Sequence, residues 1–93
     1  MSFLHTLFQT IQDRKANPKA GSYTNTLFEM GEDEIVKKVG EEAVEIILAA
    51  KGQGDQRLIE ESADLIYHLL VLLAQKGLTL EDVERELEKR HKK

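Results

Sequence analysis

Two stretches of the sequence place carboxylates at the border of long apolar runs. The acids are Glu41, Glu42 and Glu45 in GEEAVEIILAA (residues 40–50), and Glu61 and Asp64 in EESADLIYHLLVLLA (residues 60–74). On a helix, at about 100° per residue, side chains three residues apart lie roughly 60° apart and one turn along the axis. Each stretch therefore presents a pair of carboxylates on one side of a helix, and two such helices packed antiparallel bring the pairs together.

Spacing alone allows two interpretations of these acids. They could form a solvated face whose charges pair with Lys37, Lys38 and Lys51, since such i, i+4 pairs are common and contribute only about 0.2–0.5 kcal/mol each. Two features favour the alternative, a site for a cation. Glu41 and Glu45 are a like-charge i, i+4 pair, which is unfavourable by a similar amount. Asp64 is followed directly by apolar residues, so it lies close to the core.

The donor types indicate which cation would suit the second interpretation. Carboxylates that face one another near a core repel strongly unless they are protonated or neutralised by a positive ion. A set of oxygen ligands without His or Cys favours Mg²⁺, or Mn²⁺, over zinc. Mg²⁺ held by carboxylates usually keeps room for phosphate oxygens of a substrate. The spacing thus predicts a metal site that accepts a phosphorylated ligand.

Five further residues could contact such a ligand. Lys37 and Lys38 precede the acids by one turn and could neutralise phosphate charge, or could simply pair with neighbouring glutamates. Ser22, Tyr23 and Thr24 offer hydroxyl and backbone N–H groups, although such residues also cap turns and helices routinely. Tyr67 and His68 follow Asp64 among apolar neighbours; His68 is predicted to be a hydrogen-bonded core residue rather than a catalyst, and Tyr67 a packing residue.

The elements that position these residues are predicted to be helices throughout. Pro and Gly divide the chain into four helical segments: 3–15 after Ser2 as N-cap, 33–51, 55–75 capped by Asp55, and a last one beginning at Thr79 with Asp82 in a capping box. Residues 17–31 have no clean period and are predicted to be an ordered loop with at most one helical turn at 27–30. We expect a single domain over residues 1–93.

The third of these helices is apolar in almost every direction around its axis between Leu65 and Ala74. A helix that is apolar all round is buried all round, and so small a chain can hardly surround it. The predicted fold is therefore all-α, a small bundle of three main helices plus a C-terminal helix, which dimerises through the third helix into a homodimer or a higher homo-oligomer.

Composition limits the classes of function. The chain has 93 residues, a net charge of −4 and no cysteine, so disulfides and thiolate zinc sites are excluded and nucleic acid is not an expected partner. No apolar run reaches the ~20 residues of a membrane span, and the N-terminus lacks the pattern of a signal peptide. We expect a cytoplasmic protein without a membrane partner.

The acidic motifs also resemble those of a known family. The pattern Glu42-x-x-Glu45, fifteen residues, then Glu61-x-x-Asp64 resembles the ExxE…ExxD motif of MazG-type all-α nucleotide pyrophosphohydrolases. The fuller strings GSYTNTLFEMG, IVKKVGEEAVEIILAAKG and ESADLIYHLLVLLAQKGLTLEDVEREL resemble the phosphoribosyl-ATP pyrophosphohydrolases within that superfamily. The resemblance extends from Leu4 to Leu87.

This resemblance implies Mg²⁺-dependent hydrolysis of phosphoribosyl-ATP to phosphoribosyl-AMP and pyrophosphate, the second step of histidine biosynthesis. It implies that the four motif acids (Glu42, Glu45, Glu61 and Asp64) hold the metal, and that the SYT triplet contacts substrate. Glu41 would be a further ligand or the base that orients the water. In some organisms this domain is fused to a cyclohydrolase with a cysteine-containing zinc site, which this sequence lacks. Two alternatives stay open: a housekeeping (d)NTP pyrophosphohydrolase, and a non-catalytic helical dimerisation module.

Overall fold

The computed structural model describes residues 2–92, in which five α-helices follow one another. They are α1 (Phe3–Ala16), α2 (Tyr23–Met30), α3 (Glu32–Gly52), α4 (Asp55–Gln75) and α5 (Leu80–His91). The described residues contain no strand. The predicted all-α class is confirmed, and the three long helices and the C-terminal helix have nearly the predicted bounds.

The prediction of a loop over residues 17–31 is wrong, because α2 occupies its second half. Ser22 is the N-cap of α2, and its side chain accepts a hydrogen bond from the backbone N–H of Asn25 at 3.3 Å. The buried Asn25 side chain in turn accepts from the Lys19 N–H at 2.8 Å and donates to the Arg14 carbonyl at 2.6 Å. The amide therefore satisfies the backbone of the preceding turn, which fixes the start of the short helix.

Two glycines with positive φ make the connections around α3 short. Gly31 (φ 96°) is the only residue between α2 and α3, and Gly54 (φ 91°) ends the two-residue turn between α3 and α4. Only glycine adopts this conformation without steric cost. The turn at Gly54 returns α4 along α3, and the α3–α4 pair is the most extensive helix contact among the described residues.

The predicted helix starts are correct to within a residue. Thr79 caps α5 in a full capping box: its hydroxyl accepts from the Asp82 N–H at 3.1 Å, and the Asp82 carboxylate accepts from the Thr79 N–H at 2.9 Å. Asp55, predicted as the cap of the preceding helix, is instead the first residue of α4, and Gly54 holds the capping position.

The core lies between α4 and the first three helices. Its buried apolar side chains are Phe8, Ile11, Leu27, Ile35, Leu70, Val71, Ala74 and Leu80. One protomer buries only one side of α4, since Ile66 and Leu69 remain 40% and 39% exposed. No single helix within residues 2–92 is long and apolar enough to span a membrane; α4 and α5 meet the length and hydropathy criteria only together, across a bend of 108°.

Candidate metal and substrate site

Three of the predicted ligands converge where α3 and α4 face each other. Glu42 and Glu45 of α3 and Glu61 of α4 each present one carboxylate oxygen, and these oxygens all lie within 4.8 Å of one another. The i, i+3 spacing places the first two on one side of α3, and the tight turn at Gly54 brings the third opposite them.

Glu61 is the most buried of the three, with 3% of its surface exposed. The close approach of the Glu45 carboxylate, then burial, and then Asp64 raise the pKa of Glu61 to about 7. Arg57, one turn earlier on α4, opposes this shift through an ion pair of 3.3 Å with the same carboxylate. The site therefore holds more negative charge than its own cations neutralise, which is the condition that favours a bound metal ion.

Glu42 provides a second sign that the site is incomplete without a cation. Its Oε2 is buried and has no hydrogen-bond partner among residues 2–92. Burial, followed by the charges of Asp64 and Glu45, raises the pKa of Glu42. A buried carboxylate oxygen without a donor is costly, whereas a hard cation satisfies it. The donor set and the orphaned oxygen both fit Mg²⁺ or Mn²⁺.

Asp64 lies at the exposed rim of this cluster. It is not one of the three acids whose oxygens converge, but it is close enough to raise the pKa of both Glu42 and Glu61. The structure thus brings three of the four predicted ligands together and leaves the fourth beside them.

Glu41 and Lys38 form an ion pair outside the cluster, with 3.8 Å between the Lys38 Nζ and the Glu41 Oε1. Both residues line an open cavity of about 470 Å³ on the α3 side of the carboxylates. Its lining residues are Lys38, Glu41, Glu42, Val44, Glu45 and Leu48. Lys37 is exposed and lies outside this lining. Of the two lysines, Lys38 is therefore the one placed to reach a ligand in the cavity.

The SYT triplet lies at the start of α2 and contacts α4. The Ser22 hydroxyl is engaged in capping, which is the structural role that such residues commonly have. Tyr23 is half-exposed, with its hydroxyl 3.1 Å from the His68 Nε2. The Thr24 hydroxyl is hydrogen-bonded to the Tyr67 hydroxyl. These bonds attach the triplet to the helix that carries Glu61 and Asp64.

Two contacts in this region were not predicted. Arg57 contacts Glu61 from four residues earlier, a spacing that is visible in the sequence. His68 is the hydrogen-bonded core residue that was predicted, but its partner Tyr23 and the bond between Tyr67 and Thr24 were not foreseen. The spacing of His68 from Asp64, one turn, was the available signal, but the partner on α2 could not be identified while that segment was predicted to be a loop.

Known proteins match almost the whole chain. Residues 4–91 match the model of the family described as phosphoribosyl-ATP pyrophosphohydrolase. A phosphoribosyl-ATP pyrophosphatase of Limosilactobacillus fermentum is 56% identical over 90 residues, which cover 97% of this chain and 85% of that protein. One of Clostridium acetobutylicum is 56% identical, covering 97% and 82%.

A longer protein also matches. The histidine biosynthesis bifunctional protein HisIE of Caldanaerobacter subterraneus subsp. tengcongensis is 52% identical over 93 residues. These residues are 100% of this chain but 45% of the length of that protein.

Proposed function

The chain belongs to the phosphoribosyl-ATP pyrophosphohydrolase family, and from that membership we propose that it hydrolyses phosphoribosyl-ATP with the help of Mg²⁺. The reaction takes up one water and gives phosphoribosyl-AMP and pyrophosphate, the second step of histidine biosynthesis. The observation that supports this site most strongly is the convergence of Glu42, Glu45 and Glu61, one of which also has a buried carboxylate oxygen without a hydrogen-bond partner among residues 2–92. We place the activity in the cytoplasm.

The metal would be held by the three converging carboxylates, with Asp64 at the rim as the fourth ligand. Mn²⁺ has the same preference for oxygen donors and could substitute. Bound there, the ion supplies charge stabilisation for the pyrophosphate leaving group.

Glu45 is suited to contact the attacking water, because it is the exposed member of the cluster. Its carboxylate accepts the proton that the water loses as the new P–O bond forms and the bond to pyrophosphate breaks. Glu41 is the second candidate for this base; its carboxylate is paired with Lys38, and it becomes available when that lysine turns to a phosphate.

The substrate side of the site has two parts. Lys38 lines the cavity beside the carboxylates and offsets triphosphate charge; Lys37, on the next position of α3, is exposed and takes an outer role at most. The SYT triplet contributes Tyr23 and Thr24, whose side chains are held against α4, while Ser22 orders the start of α2.

The test is substitution of the two acids at the mouth of the site. Glu45→Gln and Asp64→Asn keep the shape of each side chain but remove its charge, so each should lower Mg²⁺-dependent pyrophosphate release from phosphoribosyl-ATP by at least about 100-fold. Thermal unfolding of the metal-free variants should be unchanged or shifted upward, because repulsion is relieved. Glu88→Gln, an exposed glutamate on α5, is the matched control. Wild-type turnover in both acid variants would contradict the site assignment.

A further inference from the structure

α2 and α4 contact each other close to the carboxylates, through two pairs of side chains. Tyr23 and Thr24, consecutive at the start of α2, bond to His68 and Tyr67, consecutive on α4. The rings of Tyr23 and Tyr67 are stacked with centroids 6.1 Å apart, and His68 meets both rings edge-on. Two adjacent side chains on each helix therefore form one two-point clamp, which we call the Tyr–His clamp (Tyr23, Thr24, Tyr67 and His68).

One further hydrogen bond indicates which groups of the clamp donate and which accept. The Nδ1 of His68 lies 2.7 Å from the backbone carbonyl oxygen of Asp64. A carbonyl only accepts, so Nδ1 is the donor in this bond. In the tautomer with its hydrogen on Nδ1, Nε2 is an acceptor, and the Tyr23 hydroxyl donates to it. Its remaining oxygen lone pairs stay free to accept a hydrogen bond from a ligand.

Most of the clamp is shielded from water, so water competes little with its hydrogen bonds. His68 is 6% exposed and Tyr67 is partly buried, whereas the Tyr23 side chain is 51% exposed. Burial in apolar surroundings raises the pKa of Tyr67, so its hydroxyl stays protonated. The buried members thus fix the orientation of an exposed one, and they do so from the turn of α4 that follows Asp64.

We propose that Tyr67 and His68 are positioning residues, which hold Tyr23 and Thr24 against the carboxylate-bearing helix and so set the affinity of the site for its nucleotide substrate. This inference rests on the proposed function, because it assumes that Tyr23 and Thr24 contact phosphoribosyl-ATP. The hydrogen bonds of Tyr67 and His68 reach Tyr23, Thr24 and the Asp64 backbone, and none of them ends on the carboxylates of Glu42, Glu45 or Glu61 among the described residues. Their direct bonds therefore act on the two residues that would contact substrate.

The test compares Tyr67→Phe and His68→Gln with wild type. Tyr67→Phe removes the partner of Thr24 and retains the ring, and we expect it to raise KM about tenfold with kcat within about twofold, the loss of one ordered hydrogen bond. His68→Gln retains an acceptor for Tyr23 and should raise KM less than His68→Leu, which retains none. Mn²⁺ affinity, measured without nucleotide, should stay within about twofold of wild type in Tyr67→Phe, because the Tyr67 hydroxyl bonds to Thr24 and not to a residue that would hold the metal.

Thr26→Val is the matched control. It removes a hydroxyl from the same helix, one that donates only to the Ser22 carbonyl at 3.2 Å, and KM should not change. A purely structural role for the clamp would lower the active fraction, so kcat would fall while KM stayed constant. That result, or an unchanged KM in Tyr67→Phe and His68→Leu, overturns the inference while leaving the proposed function in place. Absence of phosphoribosyl-ATP turnover by wild-type protein overturns both.

Discussion

Glu61 illustrates how a single residue links the chemistry of the site to stability. Its carboxyl has a pKa of about 7 in the folded protein, against about 4.5 for the free group. The folded, metal-free protein therefore binds more protons than the unfolded chain between pH 4.5 and 7. Stability rises with pH only where the unfolded state binds more protons, so here it falls as the pH rises through that window.

The raised pKa of Glu61 predicts the effect of Glu61→Gln on stability. In the presence of a chelator, the free energy of unfolding of wild-type protein should decrease from pH 5 to pH 7, and the substitution should remove most of that decrease because glutamine does not titrate. Urea unfolding at pH 5, 6 and 7 measures how the free energy of unfolding changes with pH in wild type and in Glu61→Gln, with Glu88→Gln as control. Equal slopes in wild type and Glu61→Gln would show that the carboxyl is not held protonated by its neighbours.

At the scale of the element, the sequence predicted the long helices and failed on the short one. The 3.6-residue period, the Pro and Gly boundaries and the capping box at Thr79 are local signals, and they placed the ends of the long helices and the start of α5 to within a residue. α2 has only eight residues, too few for a period to show. Its start depends on the side chain of Asn25, which bonds to backbone atoms up to eleven residues away.

In the candidate site too, the features that depend on local spacing could be predicted, and those that depend on helix packing could not. The acids of α3 and α4 could be paired from sequence because i, i+3 spacing and a two-residue turn fix their geometry. The partners of Tyr67 and His68 could not be predicted from the sequence, because they depend on where α2 packs. Asp64 was predicted as an equal ligand, yet it lies at the rim beside the three converging acids, and its distance from them follows from helix packing rather than from spacing.

At the scale of the whole molecule, one protomer leaves much apolar surface uncovered. Ile47 of α3 is 60% exposed, and Ile66 and Leu69 of α4 are 40% and 39% exposed. Isolated exposed apolar residues are ordinary, but a group of them on neighbouring helices is typical of an interaction surface. We propose that a second copy of the chain covers it, as expected from the apolar α4.

Sedimentation at micromolar concentration tests this proposal. We expect a homodimer or a higher homo-oligomer, and we expect Ile47→Glu to shift it towards monomer, because a buried unpaired charge at an interface is strongly unfavourable. Lys51→Glu, an exposed substitution one turn further along α3, is the control. A stable wild-type monomer would contradict the proposal without bearing on the metal site.

We propose that the converging carboxylates make this protein a metal-dependent hydrolase of phosphoribosyl-ATP. Pyrophosphate release by the wild-type protein, measured with phosphoribosyl-ATP and with ATP or dNTPs, each with Mg²⁺ and with a chelator, tests it most directly. We expect release from phosphoribosyl-ATP only when Mg²⁺ is present, and much slower release from the ordinary nucleotides. Turnover of dNTPs but not of phosphoribosyl-ATP would contradict the substrate assignment, and release that persists in the chelator would contradict the role of the metal.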